Sequence, residues 1–506
     1  MYLIFCLQYT YSQSTQSIPQ ALEAIRWSAL PFKNQEIIEQ IYTQNNLQYL
    51  WLKSDSENIT AFYEQLAKAK YLGLDSAQYS YHKVLPHKKL SSTGSDSALQ
   101  DISITYYFIR FLKDLMAGNH EEKWLQVASN QTANNYLYNI LQKGIIPKNI
   151  VQAWMPAEPA DSLYQSVKQM LKQYLDTLST GHFTEIPVRS SMIKRENKAL
   201  INRLAQLGWG NTKKVLISDS SIKRNIQLAQ KQFGLLQDGK IRTTLLNELN
   251  TPMRIRAQSL AKTLNIFRWI GSMEKEVVTV VVNIPSATLL AFDRKQVVLS
   301  SRIIVGKRST PTPTLISNIN EVILYPYWHV PHSIAIHEVL PAVKRNAQYL
   351  LDNHFEVLDN NGRIVSPKSI QWSLIHPANL TYTFRQLTGC ENALGLIKLN
   401  FKSHFSVYLH DTPNKYLFQF NKRYFSHGCI RVEKIKEIAA YLLPKTRDSL
   451  EKVIVQGCLQ HEEPKTIPIE KKAMVMVIYQ TAWFDDKLQF HFYEDIYHQN
   501  QLNKSH

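Results

Sequence analysis

The residues best equipped for chemistry lie near the C-terminus, in Ser426-His427-Gly428-Cys429-Ile430-Arg431. Nineteen positions before that cysteine stands His410, within Tyr408-Leu409-His410-Asp411-Thr412. A thiol becomes a nucleophile when a base takes its proton, and histidine is the usual base. Glycine lets backbone N–H groups approach an oxyanion, and arginine can hold a carboxylate in a fork. The pattern points to acyl transfer through Cys429 with His410 as general base, on an anionic peptide. Gly428 and Cys429 N–H groups, helped by the Tyr408 hydroxyl, are the candidate oxyanion donors. Arg431 is the candidate carboxylate holder. His427 is too close to Cys429 in sequence to act easily as its base and reads as a wall-lining or hydrogen-bonding residue. Ser426 reads as a turn residue, and Asp411 as an orienting neighbour of His410.

The string His410, fifteen intervening residues, then Ser426-His427-Gly428-Cys429 resembles the signature of the YkuD-type L,D-transpeptidases. Upstream, Pro311-Thr312-Pro313 matches that family's Thr-Pro turn. Tyr325-Pro326-Tyr327-Trp328-His329-Val330-Pro331 is similar to its Asn-Pro-Tyr-Trp-x-x-Pro segment, with tyrosine for asparagine. Arg385-Gln386, Gly389 and Asn392-Ala393-Leu394-Gly395 resemble the run of the large YcbB-like subfamily, with Thr388 replacing a proline. Lys398 follows on the expected strand. The resemblance implies substrate contacts from Arg431, Trp328 and Lys398, and a backbone carbonyl that orients His410.

Composition bounds the alternatives. The chain has 506 residues, 44% apolar and 20% charged, enough for several cored domains. The net charge of +17 favours an anionic environment. The basic residues are scattered and accompany no nucleic-acid-binding motif, so nucleic acid is not expected as a partner. No P-loop, GxGxxG or GxSxG is present, and no cofactor is expected. His329, His332 and His337 do not share a helical face and have only Glu338 beside them, so no metal is expected. The cysteines Cys6, Cys390, Cys429 and Cys458 form no dense framework. Cys390 and Cys458 read as packing residues rather than a bridge. Tyr2–Leu7 is apolar but too short to span a bilayer, and no transmembrane helix is expected. Residues 1–19 read either as a truncated signal segment or as a disordered start.

The elements that must position these residues follow from periodicity. Residues 20–190 read as a helical scaffold domain, with apolar residues at three- and four-residue spacing. Ser91 to Ser97 reads as a loop, with helices over Asp101–Met116 and Leu163–Leu178. Ile41-Tyr42, Trp51, Gly73-Leu74 and Asp101 to Thr105 resemble the scaffold of the YcbB-like enzymes. Residues 194–252 read as three short helices. Gly234-Leu235-Leu236-Gln237-Asp238-Gly239 resembles the peptidoglycan-binding type 1 turn, with Ala229-Gln230 where that family has Phe-Gln. Residues 276–456 read as a mostly β catalytic domain, entered by strands over 277–283, 287–292, 296–305 and 322–327. Residues 338–392 are expected to be a capping insertion. A helix through Ile435, Ile438, Ala439 and Leu442 should begin near Cys429 and favour a thiolate. Residues 457–506 read as a tail with a hairpin, Met474–Trp483 against Leu488–Tyr493.

The expected fold is therefore a multidomain α+β chain. The resemblance implies a periplasmic or envelope enzyme acting on peptidoglycan stem peptides and glycan, alongside other wall-synthesis proteins. It implies 3–3 cross-linking through a thioester, and acylation by carbapenems. The alternatives are L,D-carboxypeptidase or lipoprotein-anchoring activity on the same site, and a non-catalytic wall-binding scaffold.

Overall fold

The computed structural model describes residues 17–26, 32–52, 56–79, 94–118, 157–179, 186–187, 197–209, 218–273, 276–446, 450–451, 455–459 and 462–499. The expectations for residues 1–16 and for Ser91 lie outside them. The chain divides into two compact units, 1–215 with 249–274, and 216–248 with 275–506. This division runs through residues 194–252. No described helix is long and apolar enough to cross a membrane.

The first unit is helical. Helices span Ile18–Arg26, Phe32–Gln44, Ser56–Ala67, Gly94–Ala117, Ser162–Ser179, Lys198–Gln206 and Met253–Ser272. The scaffold residues singled out in the sequence meet in its core. Asp101 is fully buried and accepts hydrogen bonds from the Tyr42 hydroxyl (2.7 Å) and from Leu50, Trp51 and Leu52 N–H (2.9, 2.8 and 3.0 Å). A buried carboxylate persists because such donors replace its water. Thr105 adds bonds to Tyr42 and the Trp51 indole, both 2.9 Å. Gly73 holds φ +69°, and a Cβ there would stand 3.0 Å from the Ala261 α-carbon, so a side chain would be strained and crowded. One expectation is corrected: the helix begins at Gly94, not Asp101, so residues 94–97 are helical rather than loop.

The second unit is built on β-branched segments. Its strands are β1 (Val278–Asn283), β2 (Thr288–Asp293), β3 (Gln296–Gly306), β4 (Leu315–Leu324), β5 (Trp328–His329), β6 (Phe355–Leu358), β7 (Ile364–Val365), β8 (Thr383–Gln386), β9 (Ile397–Phe401), β10 (Leu409–His410), β11 (Tyr424–Ser426), β12 (Ile430–Val432), β13 (Lys465–Ile478), β14 (Ala482–Phe484) and β15 (Phe490–Phe492). The main sheet runs β11-β3-β12-β10-β9-β4-β13-β1-β2, and β3 also pairs with β2. The sheet therefore closes on itself, leaving no long unpaired edge. Alternate residues fill one continuous core, including Val280, Val282, Leu289, Val305, Val322, Ile397, Leu399, Leu409, Ile430, Val432 and Val475. Each such side chain contributes about 1.5–3 kcal/mol on burial.

Residues between β4 and β9 form a smaller four-stranded sheet, β5-β8-β6-β7. Its separate apolar cluster runs from Val330 to Phe384 and includes Trp372. Helices Asp219–Gln232 and Thr243–Asn250 flank the Gly234–Gly239 turn. Gln230 is buried there and clamps the turn, accepting from Gly239 N–H (2.8 Å) and donating to Lys240 O (3.0 Å).

Two further expectations are corrected. Met474–Ile478 is not a hairpin arm: it ends β13, which runs parallel to β1 and antiparallel to β4 inside the main sheet. The hairpin is the shorter pair β14–β15. Residues buried on both faces at 473 and 475–478 explain the difference, since a central strand shows no clean alternation. Cys390 and Cys458 are not packing residues but a disulfide, their α-carbons 5.0 Å apart. The bridge links segments 68 positions apart that the fold brings together, a proximity that spacing alone does not reveal.

Candidate active site

Register places the candidate residues on one face of the closed sheet. Strand β10 lies between β9 and β12, pairing His410 with Lys398 on one side and Arg431 on the other. Leu409, Leu399 and Ile430 point into the core, so their neighbours His410, Lys398, Arg431 and Cys429 turn the opposite way. Tyr408, two residues from His410, joins them; its ring stands edge-on to the imidazole at 5.6 Å. Cys429 stands opposite Tyr408 and diagonal to His410, about 8 Å between α-carbons from ladder spacing.

Cys429 is the one cysteine outside the disulfide among the described residues. Burial pushes its thiol above the ordinary value; hydrogen bonds from the Tyr408 N–H and hydroxyl, then the charges of Lys398 and Arg431, pull the other way. Its sulfur approaches Ser406 O at 3.9 Å. The Trp328 indole donates to the Tyr408 hydroxyl, linking β5 to the thiol. Burial and the neighbouring thiol raise the Tyr408 hydroxyl, keeping it a protonated donor.

His410 is buried, and its affinity for a proton is pushed down to about 3. Burial is the largest cause, followed by Arg431, with smaller pushes from Lys398 and Lys415; a backbone hydrogen bond with Asp411 opposes them. Its Nδ1 is buried and has no hydrogen-bond partner. The Asp411 carboxylate serves elsewhere, accepting from Leu396 N–H at 3.1 Å and pairing with Lys415. Asp411 thus meets His410 through its backbone, and its side chain pins the loop after β10.

Lys398 lies over the Tyr408 ring, its Nζ 4.1 Å from the centroid, and burial pushes its ammonium below the ordinary value. Arg431 Nε is buried without a hydrogen-bond partner. Lys398 and Arg431 make a cationic wall on both sides of the imidazole.

The nucleophile loop is held by short bonds. Ser426 Oγ donates to Cys429 O (2.6 Å) and accepts from Gly428 N–H (3.2 Å). Gly428 N–H is therefore engaged, which removes it from the expected oxyanion donors and leaves Cys429 N–H and the Tyr408 hydroxyl. His427 points away from the thiol chemistry, with Nε2 2.6 Å from Glu338 Oε1 and 3.5 Å from Lys307 Nζ. The expected helix spans Ile435–Leu442, but β12 and a turn separate it from Cys429. Its N-terminus lies beyond the far end of that strand, so its dipole does not serve the thiol; the stretch Ile430–Val432 pairs into the sheet instead.

Sequence reading missed three contributors. Glu338 and Lys415 carry no motif, and only the fold brings them to His427 and Asp411. Thr312 was visible as part of a Thr-Pro turn, but not as a partner of the nucleophile loop.

The fold thus presents a cysteine and a buried imidazole from adjacent strands of a closed sheet. By comparison with known families, residues 278–455 match the YkuD L,D-transpeptidase catalytic domain, and residues 36–171 match a Scaffold domain. Residues 278–455 are thus an L,D-transpeptidase catalytic domain by sequence, and its combination with a Scaffold domain is similar to the large YcbB-like enzymes. A Haemophilus influenzae protein named "Putative L,D-transpeptidase" is 35% identical over 205 residues, 40% of this chain and 41% of that protein. The match thus spans well under half of that relative's length. Among solved structures, an L,D-transpeptidase of Mycobacterium smegmatis is 13% identical, covering 40% of this chain and 58% of that one at a TM-score of 0.17. L,D-transpeptidase 1 of Mycobacterium tuberculosis is 11% identical, covering 40% and 61% at a TM-score of 0.15. Likeness at that level decides nothing about this chain.

Proposed function

We propose that this protein cross-links peptidoglycan by L,D-transpeptidation through a thioester on Cys429. The observation that carries the reading is the shared face: a thiol and an imidazole with a buried, unpartnered Nδ1 stand together between two cations. Lys398 and Arg431 receive carboxylates of a tetrapeptide stem, and Trp328 lines the approach. Cys429 Sγ attacks the carbonyl before the terminal D-residue, and its proton passes to His410. The tetrahedral oxyanion is held by Cys429 N–H and the Tyr408 hydroxyl. The C–N bond breaks, His410 gives its proton to the leaving amine, and a thioester remains. The side-chain amine of a diamino acid on a second stem then attacks the thioester. It loses a proton to His410, which returns one to the departing sulfur. The product is a 3–3 cross-link. The same thioester chemistry makes Cys429 a target for carbapenems.

The disulfide fits an oxidising envelope compartment, and the positive charge fits an acidic polymer. The Gln230-clamped turn is the candidate wall-binding element.

Mass spectrometry of the protein with a disaccharide-tetrapeptide tests the reading. The expected result is a cross-linked dimer with release of the terminal D-residue, abolished in Cys429→Ala. Free tripeptide without dimer would replace transpeptidation by carboxypeptidation. Turnover that survives in Cys429→Ala would overturn the nucleophile assignment.

A further inference from the structure

We propose that Thr312 is a positioning residue for acyl transfer, fixing the peptide unit whose N–H meets the oxyanion. The proposal rests on the thioester reading above. Gly428 C=O and Cys429 N–H belong to one planar peptide unit and point in opposite directions. Whatever holds that carbonyl also aims that N–H. Gly428 sits at φ +114°, and a Cβ there would meet only Pro311 O, at 3.6 Å. Glycine in that region has little of its own to prevent the unit from turning.

Thr312 supplies the restraint. Its hydroxyl is buried, accepts from Gly306 N–H at 2.8 Å and donates to Gly428 O at 2.8 Å. The direction is forced: an N–H can only donate, so the single hydroxyl proton is left for the Gly428 carbonyl. A second ring steadies Thr312. Its backbone N–H donates to the Tyr497 hydroxyl (3.1 Å), which in turn donates to Gly306 O (2.6 Å). Tyr497 N–H donates to the Tyr479 hydroxyl at 2.8 Å, and the two rings stack. Gly306 leaves no room for slack, since a side chain there would collide with Thr310 O. Residues outside the motif, on the C-terminal segment, thereby brace the oxyanion donor.

The test compares two reactions of one sulfur. Acylation by meropenem builds an oxyanion, whereas alkylation by iodoacetamide builds none. Both are followed by mass spectrometry of the Cys429 peptide at pH 8. Thr312→Val should slow acylation about 10- to 100-fold, approaching the loss of an oxyanion donor. It should change alkylation by less than roughly threefold, and Thr312→Ser should restore acylation to within about threefold. Tyr497→Phe leaves Thr312 intact and should show the same split on a smaller scale, about three- to tenfold; it decides the matter if Thr312→Val does not fold. Unchanged acylation, or parallel loss of both reactions, overturns the positioning role. A wild-type protein that iodoacetamide alkylates but neither meropenem nor a tetrapeptide acylates overturns the transpeptidase reading, and the positioning role with it.

Discussion

The resting site should hold a thiol beside a neutral imidazole, not a thiolate–imidazolium pair, and the pH dependence of alkylation distinguishes the two. Burial raises the Cys429 thiol above its ordinary value. Near neutrality the thiol form therefore predominates. His410, at about 3, is protonated in about one molecule in ten thousand at that pH. The rate of iodoacetamide addition to Cys429 should therefore keep climbing with pH through neutrality, without a plateau between pH 5 and 8. His410→Ala should leave the position of that profile unchanged, because the imidazole carries no charge across the range. The same variant should lose acyl transfer, which needs the base. A plateau between pH 5 and 8 that disappears in His410→Ala would refute the reasoning, since it would reveal a pre-formed ion pair.

Two further outcomes follow from buried or bridged groups. The folded His410 takes up its proton near 3, against an ordinary 6.5, so the unfolded chain protonates first as pH falls. Stability is full above 6.5 and lost progressively toward 3; at pH 4.5 wild type should have lost about 3 kcal/mol relative to His410→Gln, read from urea unfolding at pH 7.5 and 4.5. Equal pH dependence in the two proteins would contradict the burial argument. Reduction of Cys390–Cys458, which closes a loop of 68 positions, should cost about 4 kcal/mol. The double variant Cys390→Ser, Cys458→Ser should be insensitive to reductant, and a wild-type urea midpoint unmoved by reductant would contradict the bridge's role.

What the sequence discloses depends on how local the physics is. Cys429, Arg431, Tyr408 and His410 were legible as residue types before any coordinates, but their shared face was not, because it rests on the pairing of β10 with β12. The scaffold residues Tyr42, Trp51, Asp101 and Thr105 were legible as types, and Asp101 shows why they belong together: its carboxylate needs the donors that the others bring. Features set by distant pairing were not legible. Strand β13 takes its central place only because β1 and β4 flank it. The disulfide depends on a loop closed by the rest of the fold. The helix at Ile435–Leu442 was legible, but its distance from Cys429 was not, because Ile430–Val432 could continue either as helix or as strand. Neighbours in the closed sheet decided for strand.

The electrostatics of the site constrain how its proton moves. Lys398 and Arg431 favour the thiolate, yet the Cys429 thiol still lies above its ordinary value, so desolvation outweighs both charges. The same cations disfavour protonated His410, and burial, the largest single cause, acts in the same direction. A substrate carboxylate seated against Arg431 would cancel part of the cationic contribution at each group. It would remove no burial, and a bound peptide excludes more water. Pairing the cations therefore makes the thiol harder to ionise and the imidazole easier to protonate, shifts that run in opposite directions for a stable ion pair. On the proposed reading, the proton does not leave sulfur in advance. It passes to His410 as sulfur meets the carbonyl, when charge moves on to the oxyanion and the Tyr408 and Cys429 donors take it up. Donor geometry then matters more than the resting thiolate population, which is why the orientation of a single peptide unit can govern the rate.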